Sequence, residues 1–256
     1  MANTAIATLE TLDVVIVVCF CDIDFLKKLR YLKVIKKWLS MKIYFLAIPI
    51  IIGIVIGVGL ITNLDPTTDN SSVLSKENLL KGSTMLGNPN AKITIVEFGD
   101  YQCTFCYKFH DETMKKINDK YIETENVNFI YKDFPLNGGQ SILASEASYC
   151  AQKQNKFWEY HNTLYDNWGG ENTGWITENV LLGFARDVEL NLDDFSQCLE
   201  NSEFRQKVLD NEQFGREVGI NATPSFLIFN DNDLYRIVGA QPFEKFEQAF
   251  QKLRNS

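Results

Sequence analysis

Apolar residues are arranged in two different ways along this chain. From Ile43 to Ile61 the sequence IYFLAIPIIIGIVIGVGLI carries no charge and has about the 20 residues that a helix needs to cross a bilayer. Lys and Arg precede this span, and none follows it before Lys76. The positive-inside rule therefore predicts a single-pass protein of the cell membrane, with a cytoplasmic N-terminus and an extracytoplasmic C-terminal part.

The segments on either side of the predicted transmembrane anchor, residues 43–62, are polar or basic. Residues 1–42 mix Lys and Arg with Leu, Ile and aromatic residues, a pattern typical of an amphipathic helix on a membrane surface. An alternative is that translation begins at Met41 and that the preceding residues do not belong to the protein. No A-x-A-like cleavage site follows the span, which favours a retained anchor over a cleaved signal peptide. Residues 63–85, rich in Thr, Ser and Asn, are predicted to be a linker.

In residues 86–256, short β-branched runs alternate with segments of helical periodicity. The runs that predict strands are Ile93–Phe98, Val127–Tyr131, Ser225–Phe229 and Leu234–Val238. The patterns that predict helices are Cys103–Lys120, Ser141–Gln154, Lys156–Asn167, Thr177–Asp187, Leu192–Glu200, Glu203–Val218 and Glu244–Leu253. Strand, helix, strand, helical block, hairpin and helix is the order of an α/β thioredoxin fold with an inserted helical subdomain at about 140–218.

Charge narrows the range of possible functions. The net charge is −8, yet residues 1–64 carry seven Lys and Arg against four Asp and Glu, so the rest of the chain is strongly acidic. An acidic domain lacks the basic surface that nucleic-acid binding requires, and we expect no nucleic-acid partner. The hydrophobic content of 45% is sufficient for a packed core.

Cys103 and Cys106 form a C-x-x-C motif directly after the first predicted strand. At the first turn of a helix the leading sulfur faces unpaired backbone N–H groups, which stabilise a thiolate and make it nucleophilic. Half of a zinc site and a merely structural disulfide are the alternatives. Zinc requires two further ligands at suitable spacing, and the chain has no second C-x-x-C and only His110 and His161, so no metal is expected.

Five sequence blocks resemble the DsbA-like thiol–disulfide oxidoreductases of the thioredoxin superfamily, in particular their membrane-anchored members. These blocks are VEFGDYQCTFC, YKDFPL, KFWEYHNTLY, FSQCL and GINATPSF, and together they extend from about Leu86 to Leu253. The resemblance implies that Cys103 is the attacking thiol and Cys106 the resolving thiol. The intervening Thr104-Phe105 differs from the Pro-His pair of strongly oxidising members, so we expect a less oxidising disulfide.

The resemblance also implies roles for residues outside the C-x-x-C motif. Glu97, in register with the buried Ile93 and Ile95, would transfer the proton of the resolving thiol; the alternative is a strand-end carboxylate bonded to Lys108 or a backbone amide. Thr223-Pro224 would be a cis bond opposite the cysteines, where the Thr223 backbone pairs with a substrate strand; the alternative is an ordinary proline before a strand.

The remaining cysteines and three aromatic residues complete the predicted site. Outside the membrane Cys150 and Cys198 would form a structural disulfide, as in some similar proteins. In a reducing compartment they would be buried small hydrophobes, and an electron relay is a third possibility. Tyr101, Phe105 and Phe134 are predicted to line an apolar groove for peptides.

The expected function is disulfide exchange with cysteine-containing protein substrates, as an oxidase in oxidative protein folding. A membrane oxidase of the DsbB or vitamin K epoxide reductase type would regenerate the disulfide, and no cofactor is required. A disulfide reductase or isomerase, and a non-catalytic peptide-binding or chaperone module on the same fold, are the alternatives.

Overall fold

A computed structural model describes residues 74–82 and 84–256, all of which belong to one compact unit. Its five-stranded sheet has the order β1-β3-β2-β4-β5. The strands are β1 (Met85–Leu86), β2 (Ile93–Gly99), β3 (Val127–Asp133), β4 (Ser225–Phe229) and β5 (Leu234–Val238). Strands β2 and β3 are parallel, and the other neighbouring strands are antiparallel.

Apart from a short first helix within the predicted linker, the helices follow the predicted order. They are α1 (Lys76–Leu80), α2 (Thr104–Phe109), α3 (Lys115–Ile117), α4 (Gly139–Gln152), α5 (Phe157–Asp166), α6 (Glu178–Asp187), α7 (Leu192–Glu200), α8 (Arg205–Glu217) and α9 (Phe243–Arg254). Two π-helical segments, His110–Met114 and Asn118–Ile122, follow α2 and α3. Helices α4 to α8 form the block that separates β3 from β4, as the periodicity predicts.

Strand β2 lies at the centre of the sheet, and every one of its residues is buried. Its side chains alternate between two cores: Ile93 and Ile95 belong to the larger apolar cluster, and Val96 and Phe98 belong to the smaller one. A strand covered on both faces reads as a continuous apolar run, which explains why this segment lacks polar alternation. The loop that follows β2 therefore leaves the sheet at its middle, above a packed interior.

Two predicted segments differ from the structure. Within the range 63–85 interpreted as linker, Ser75 caps helix α1 through its side chain, and Leu79 is buried in the smaller core. The folded domain thus begins earlier than predicted, because one apolar residue on a short capped helix finds a place in that core. The helix predicted to end near Lys120 continues to Ile122 through its π-helical turns.

The basic segment 1–42 and the predicted anchor 43–62 lie outside the described residues. Within residues 74–82 and 84–256, no helix is both long and apolar enough to span a bilayer.

A disulfide joins α4 to α7 through Cys150 and Cys198, whose Cα atoms are 5.8 Å apart. This is the pairing that the resemblance implies. Both cysteines are buried, and the bond closes a loop of 48 residues within the helical subdomain. The subdomain therefore has a covalent crosslink in addition to its apolar core.

Candidate active site

The C-x-x-C motif begins where the loop after β2 turns into α2, with Cys103 as the N-cap residue of that helix. The buried Asp100 carboxylate fixes this loop. It accepts hydrogen bonds from the backbone N–H of Gln102 at 2.8 Å and of Asn137 at 2.8 Å. Because Asn137 follows β3, the carboxylate ties together the loops that leave two neighbouring strands, and it holds Cys103 above the centre of the sheet.

The two cysteines of the motif are free thiols that differ in their access to solvent. Cys106 is fully buried, whereas Cys103 retains 5% of its surface. The Sγ of Cys103 lies 3.5 Å from the Thr223 carbonyl oxygen, and the Asp100 N–H donates to Cys106 Sγ at 3.5 Å. Of the pair, only Cys103 has any contact with solvent, as a thiol that attacks foreign sulfur requires.

The surroundings of the two sulfurs push their pKa values in opposite directions. A hydrogen bond from the Cys106 thiol lowers the pKa of Cys103 to about 6; Thr223 and the backbone N–H groups of Cys106 and Phe105 act in the same direction, against the effect of burial. Burial raises the pKa of Cys106 well above its usual value, and the charges of Cys103 and Glu97 add to that effect. This asymmetry makes Cys103 a thiolate and Cys106 a protonated thiol near neutral pH.

Glu97 lies on β2 between Tyr131 of β3 and Phe226 of β4, and only 2% of its surface is exposed. Its Oε1 has no hydrogen-bond partner among the described residues. Burial raises the pKa of this carboxyl well above its usual value, and the charge of Cys103 raises it further. Burial thus favours the protonated form of this carboxyl, and the carboxyl is electrostatically coupled to both cysteines.

The peptide bond between Thr223 and Pro224 is cis. It directly precedes β4, which pairs with β2, and the Pro224 carbonyl oxygen accepts a hydrogen bond from the N–H of Gly239 at 2.8 Å. The bond lies opposite the C-x-x-C motif, as expected, and Thr223 reaches the Cys103 sulfur across 120 residues of sequence. The Thr223 backbone is therefore positioned beside the atom that would carry a mixed disulfide.

Two of the three residues predicted to line a peptide groove do not do so. Tyr101 is completely buried, with its hydroxyl 2.9 Å from His161 Nδ1 and its ring against those of Tyr131 and Tyr165. Phe134 is also completely buried, and its ring packs edge-on against Phe98.

The groove prediction was wrong for Tyr101 and Phe134 because nearness to the motif in sequence does not decide which way a ring points. Phe105, by contrast, exposes 56% of its surface between the two cysteines, and the Lys108 ammonium lies 5.5 Å from its ring centroid. Of the three aromatic residues, Phe105 alone is available to a peptide.

The inserted subdomain contributes residues that the sequence pattern did not indicate. Trp168 donates its indole N–H to the Gln102 carbonyl oxygen at 3.1 Å, and Glu171 accepts two hydrogen bonds from Thr104. These residues lie more than sixty positions beyond the motif, and no spacing rule connects them to it. The described part of the chain has no cluster of three or more His, Cys, Asp or Glu residues arranged to hold a metal ion.

A nucleophilic and a protonated thiol on one helical turn, with a cis-proline loop beside them, define a thiol–disulfide oxidoreductase of thioredoxin fold. Residues 80–252 match the family model described as Thioredoxin, and because the match covers most of the chain, the chain belongs to that family.

The similar proteins include disulfide bond formation proteins and their solved structures. Disulfide bond formation protein D of Bacillus subtilis is 27% identical over 165 residues, which is 63% of this chain and 74% of the relative. The crystal structure of oxidised BdbD from Bacillus subtilis has 26% identity and a TM-score of 0.64, and the match covers 69% of this chain and 95% of that one. Alpha-DsbA1 of Wolbachia pipientis has 27% identity and a TM-score of 0.61, with coverage of 73% and 96%. Homology and site agree on a disulfide-forming oxidoreductase.

Proposed function

We propose that this protein is a membrane-tethered, extracytoplasmic oxidase that introduces disulfides into protein substrates through Cys103 and Cys106. The observation that carries the proposal is the position of the Cys103 sulfur, a stabilised thiolate in its reduced state, 3.5 Å from the Thr223 carbonyl oxygen beside a cis-proline. A thiolate of low pKa is a good leaving group and stabilises the reduced enzyme, so the oxidised pair tends to pass its disulfide to a substrate.

The proposed cycle begins with the Cys103–Cys106 disulfide. A substrate thiolate attacks the Cys103 sulfur, a mixed disulfide forms, and Cys106 leaves with the electron pair of the broken bond. The second substrate thiolate then attacks the substrate sulfur of the mixed disulfide and displaces Cys103 as its stable thiolate. The substrate loses two electrons and gains a disulfide, while the enzyme becomes the dithiol.

Glu97 is the proposed proton donor for the first step. Cys106 is fully buried, so a thiolate released there is unfavourable until it receives a proton. Burial raises the pKa of Glu97 and so favours its protonated form, and the carboxyl is electrostatically coupled to Cys106. In the reverse direction the same carboxylate would accept the proton of the Cys106 thiol.

The proposed location and partners rest on the N-terminal sequence and on the chemistry of the cycle. The uncharged span Ile43–Ile61 with its preceding Lys and Arg supports an anchor that places the catalytic domain outside the cytoplasm. The Cys150–Cys198 disulfide is consistent with an oxidising compartment. Each turnover leaves a dithiol, so the cycle requires an oxidant, and we propose a membrane partner of the DsbB or vitamin K epoxide reductase type.

The test is the oxidation of reduced, unfolded ribonuclease by the oxidised full-length protein. We expect stoichiometric transfer of one disulfide by the wild type and none by Cys103→Ser. Cys106→Ala has no intramolecular disulfide to donate, so its reduced form is instead given a disulfide-containing substrate; Cys103 should attack that disulfide, release one substrate thiolate and remain trapped as a mixed disulfide. Cys150→Ala/Cys198→Ala is the matched control, because it removes two cysteines but leaves the redox pair. If the wild type transferred no disulfide but reduced or reshuffled existing ones, the oxidase assignment would be replaced by a reductase or isomerase. Peptide binding that survives Cys103→Ser without any exchange would favour a chaperone module.

A further inference from the structure

A loop of the inserted helical subdomain follows α5 and contacts the redox loop from outside. The Trp168 indole donates a hydrogen bond to the Gln102 carbonyl oxygen, and its ring stacks on that of Tyr107 with centroids 4.6 Å apart. Glu171 Oε2 accepts hydrogen bonds from the Thr104 backbone N–H at 3.1 Å and from Thr104 Oγ1 at 3.0 Å. The subdomain therefore contacts the residues on both sides of the C-x-x-C motif and the first residue between its cysteines.

The contact from Glu171 has a direct electrostatic consequence. Thr104 is the residue next to Cys103 and the first residue of α2, so its N–H has no partner within the helix. In this chain that N–H donates its hydrogen bond to the Glu171 carboxylate. The negative charge thus lies beside the residue that follows the attacking sulfur, where the thiolate of the reduced enzyme forms. A like charge close to a thiolate disfavours it relative to the thiol or the disulfide.

We propose that Glu171 is a positioning residue that sets the redox balance of the Cys103–Cys106 pair. Through Thr104 its carboxylate orders the first turn of α2, and its charge makes the pair a weaker oxidant than the same loop would be without it. The inference rests on the proposed function, since it concerns the redox pair on which that function depends. It also gives the helical subdomain a chemical role in addition to its structural one.

The other groups that face Cys103 do not duplicate this contact. Glu97 approaches from the sheet and is buried, and burial raises the pKa of its carboxyl, which disfavours the charged form. Cys106 and Thr223 act on the sulfur through hydrogen bonds, and the Lys108 ammonium lies against the Phe105 ring. Glu171 is exposed, so a substitution at this position leaves the core packing intact.

Glu171→Gln is the decisive substitution, because the amide oxygen still accepts both hydrogen bonds from Thr104 while the charge is lost. The full-length protein, in detergent, is equilibrated with reduced and oxidised glutathione, quenched in acid and alkylated. The peptide that contains Cys103 and Cys106 is then quantified by mass spectrometry. The reaction consumes two reduced glutathione molecules for each enzyme disulfide and yields the dithiol and one glutathione disulfide.

We expect the equilibrium constant of Glu171→Gln to shift about threefold toward the reduced enzyme, which corresponds to roughly 14 mV at 29.6 mV for each tenfold change. The pKa of Cys103 should fall in parallel. Thr104→Pro removes both donors and should shift the equilibrium in the same direction, and the double variant should add nothing to the larger single effect. Glu189→Gln, which neutralises an exposed carboxylate after α6 in the same subdomain, should match the wild type.

An unchanged equilibrium constant in a folded Glu171→Gln protein, or a shift toward the disulfide, would overturn the proposal. If Glu171→Gln does not fold, Thr104→Pro takes its place, because it removes both donors that hold the carboxylate. A constant identical to that of the wild type in this variant would have the same meaning. Because glutathione replaces the protein substrate, the measurement is independent of whether the enzyme oxidises clients. A failed client assay with a shifted constant would refute the proposed oxidase function and leave the role of Glu171 intact.

Discussion

The low pKa of Cys103 is the property on which the proposed chemistry depends, and a pH titration of the reduced protein tests it directly. The Cys103 pKa lies at about 6, against an ordinary value of 9.0. At pH 7 about nine-tenths of such a thiol is thiolate, compared with about one-hundredth of an unperturbed one. The thiolate absorbance near 240 nm should therefore rise with a midpoint close to pH 6, and Cys103→Ser should lack that transition.

The alkylation rate by itself is a weaker test, since a thiolate of low pKa is also a poorer nucleophile. With a Brønsted coefficient of about 0.45, a fall of three pKa units reduces intrinsic reactivity by roughly 20-fold. That loss offsets most of the roughly 90-fold gain in thiolate at pH 7, and the net acceleration by iodoacetamide is only about fourfold. The midpoint of the rate profile, rather than its height, carries the information.

Replacement of Cys106 tests the physical cause of the low pKa. The hydrogen bond from the Cys106 thiol is the largest stabilising effect on Cys103. Hydrogen bonds to charged groups contribute about 1.5–3 kcal/mol, so Cys106→Ala should raise the midpoint by about one pKa unit or more. Cys106→Ser keeps a donor and should raise it less. A wild-type midpoint near 9, or a midpoint in Cys106→Ala below that of the wild type, would refute the reasoning.

The same pKa predicts how the stability of the reduced protein varies with pH. A folded-state pKa below the unfolded value stabilises the fold fully above pH 9, and that contribution is lost as the pH falls through about 6. Solvent reaches part of the side chain, and the gain at pH 7 is therefore on the order of 1 kcal/mol. The disulfide form does not titrate at this position. Urea denaturation at pH 5 and pH 8 should show the reduced form gaining stability relative to the oxidised form.

Three further predictions concern the surroundings of the redox pair. Glu97→Gln should slow the release of Cys106 by about 100-fold or more in stopped-flow exchange, because general acid catalysis is lost. It should not destabilise the fold, since Glu97 Oε1 already lacks a hydrogen-bond partner among the described residues of the wild type. A large loss of stability with normal exchange kinetics would contradict the proposed role. Cys150→Ala/Cys198→Ala opens a loop of 48 residues. In urea titrations it should lower the free energy of unfolding by up to about 4 kcal/mol. The redox equilibrium of the Cys103–Cys106 pair should stay unchanged. In Gly99→Ala the added Cβ would lie 2.5 Å from Tyr131 Cε2, and the required shift of that ring should destabilise the domain by about 1–3 kcal/mol in the same titrations; wild-type stability would mean that the ring moves freely.

The helices, the strands and the reactive Cys103–Cys106 pair could be predicted from the sequence, because they depend on residues that are close together along the chain. The apolar runs at Ser225–Phe229 and Leu234–Val238 coincide with β4 and β5 residue for residue, because β-branched and aromatic residues separated by an Asn and Asp turn leave few alternatives. Helix α7 likewise begins and ends as predicted. The position of Cys103 at a helix N-cap follows from the break after β2, and its spacing to Cys106 is itself a local property.

Tertiary structure decided which distant groups meet the sulfur atoms and which rings face solvent. Tyr101 and Phe105 are both near the motif in sequence, yet only packing against His161, Tyr131 and Tyr165 buries the first ring and leaves the second exposed. The contact of Glu171 with Thr104 spans 67 residues, and no local pattern encodes such a pairing. Backbone propensity acts over a few residues, whereas the electrostatic environment of a thiolate is set by every group that the fold brings within a few ångströms.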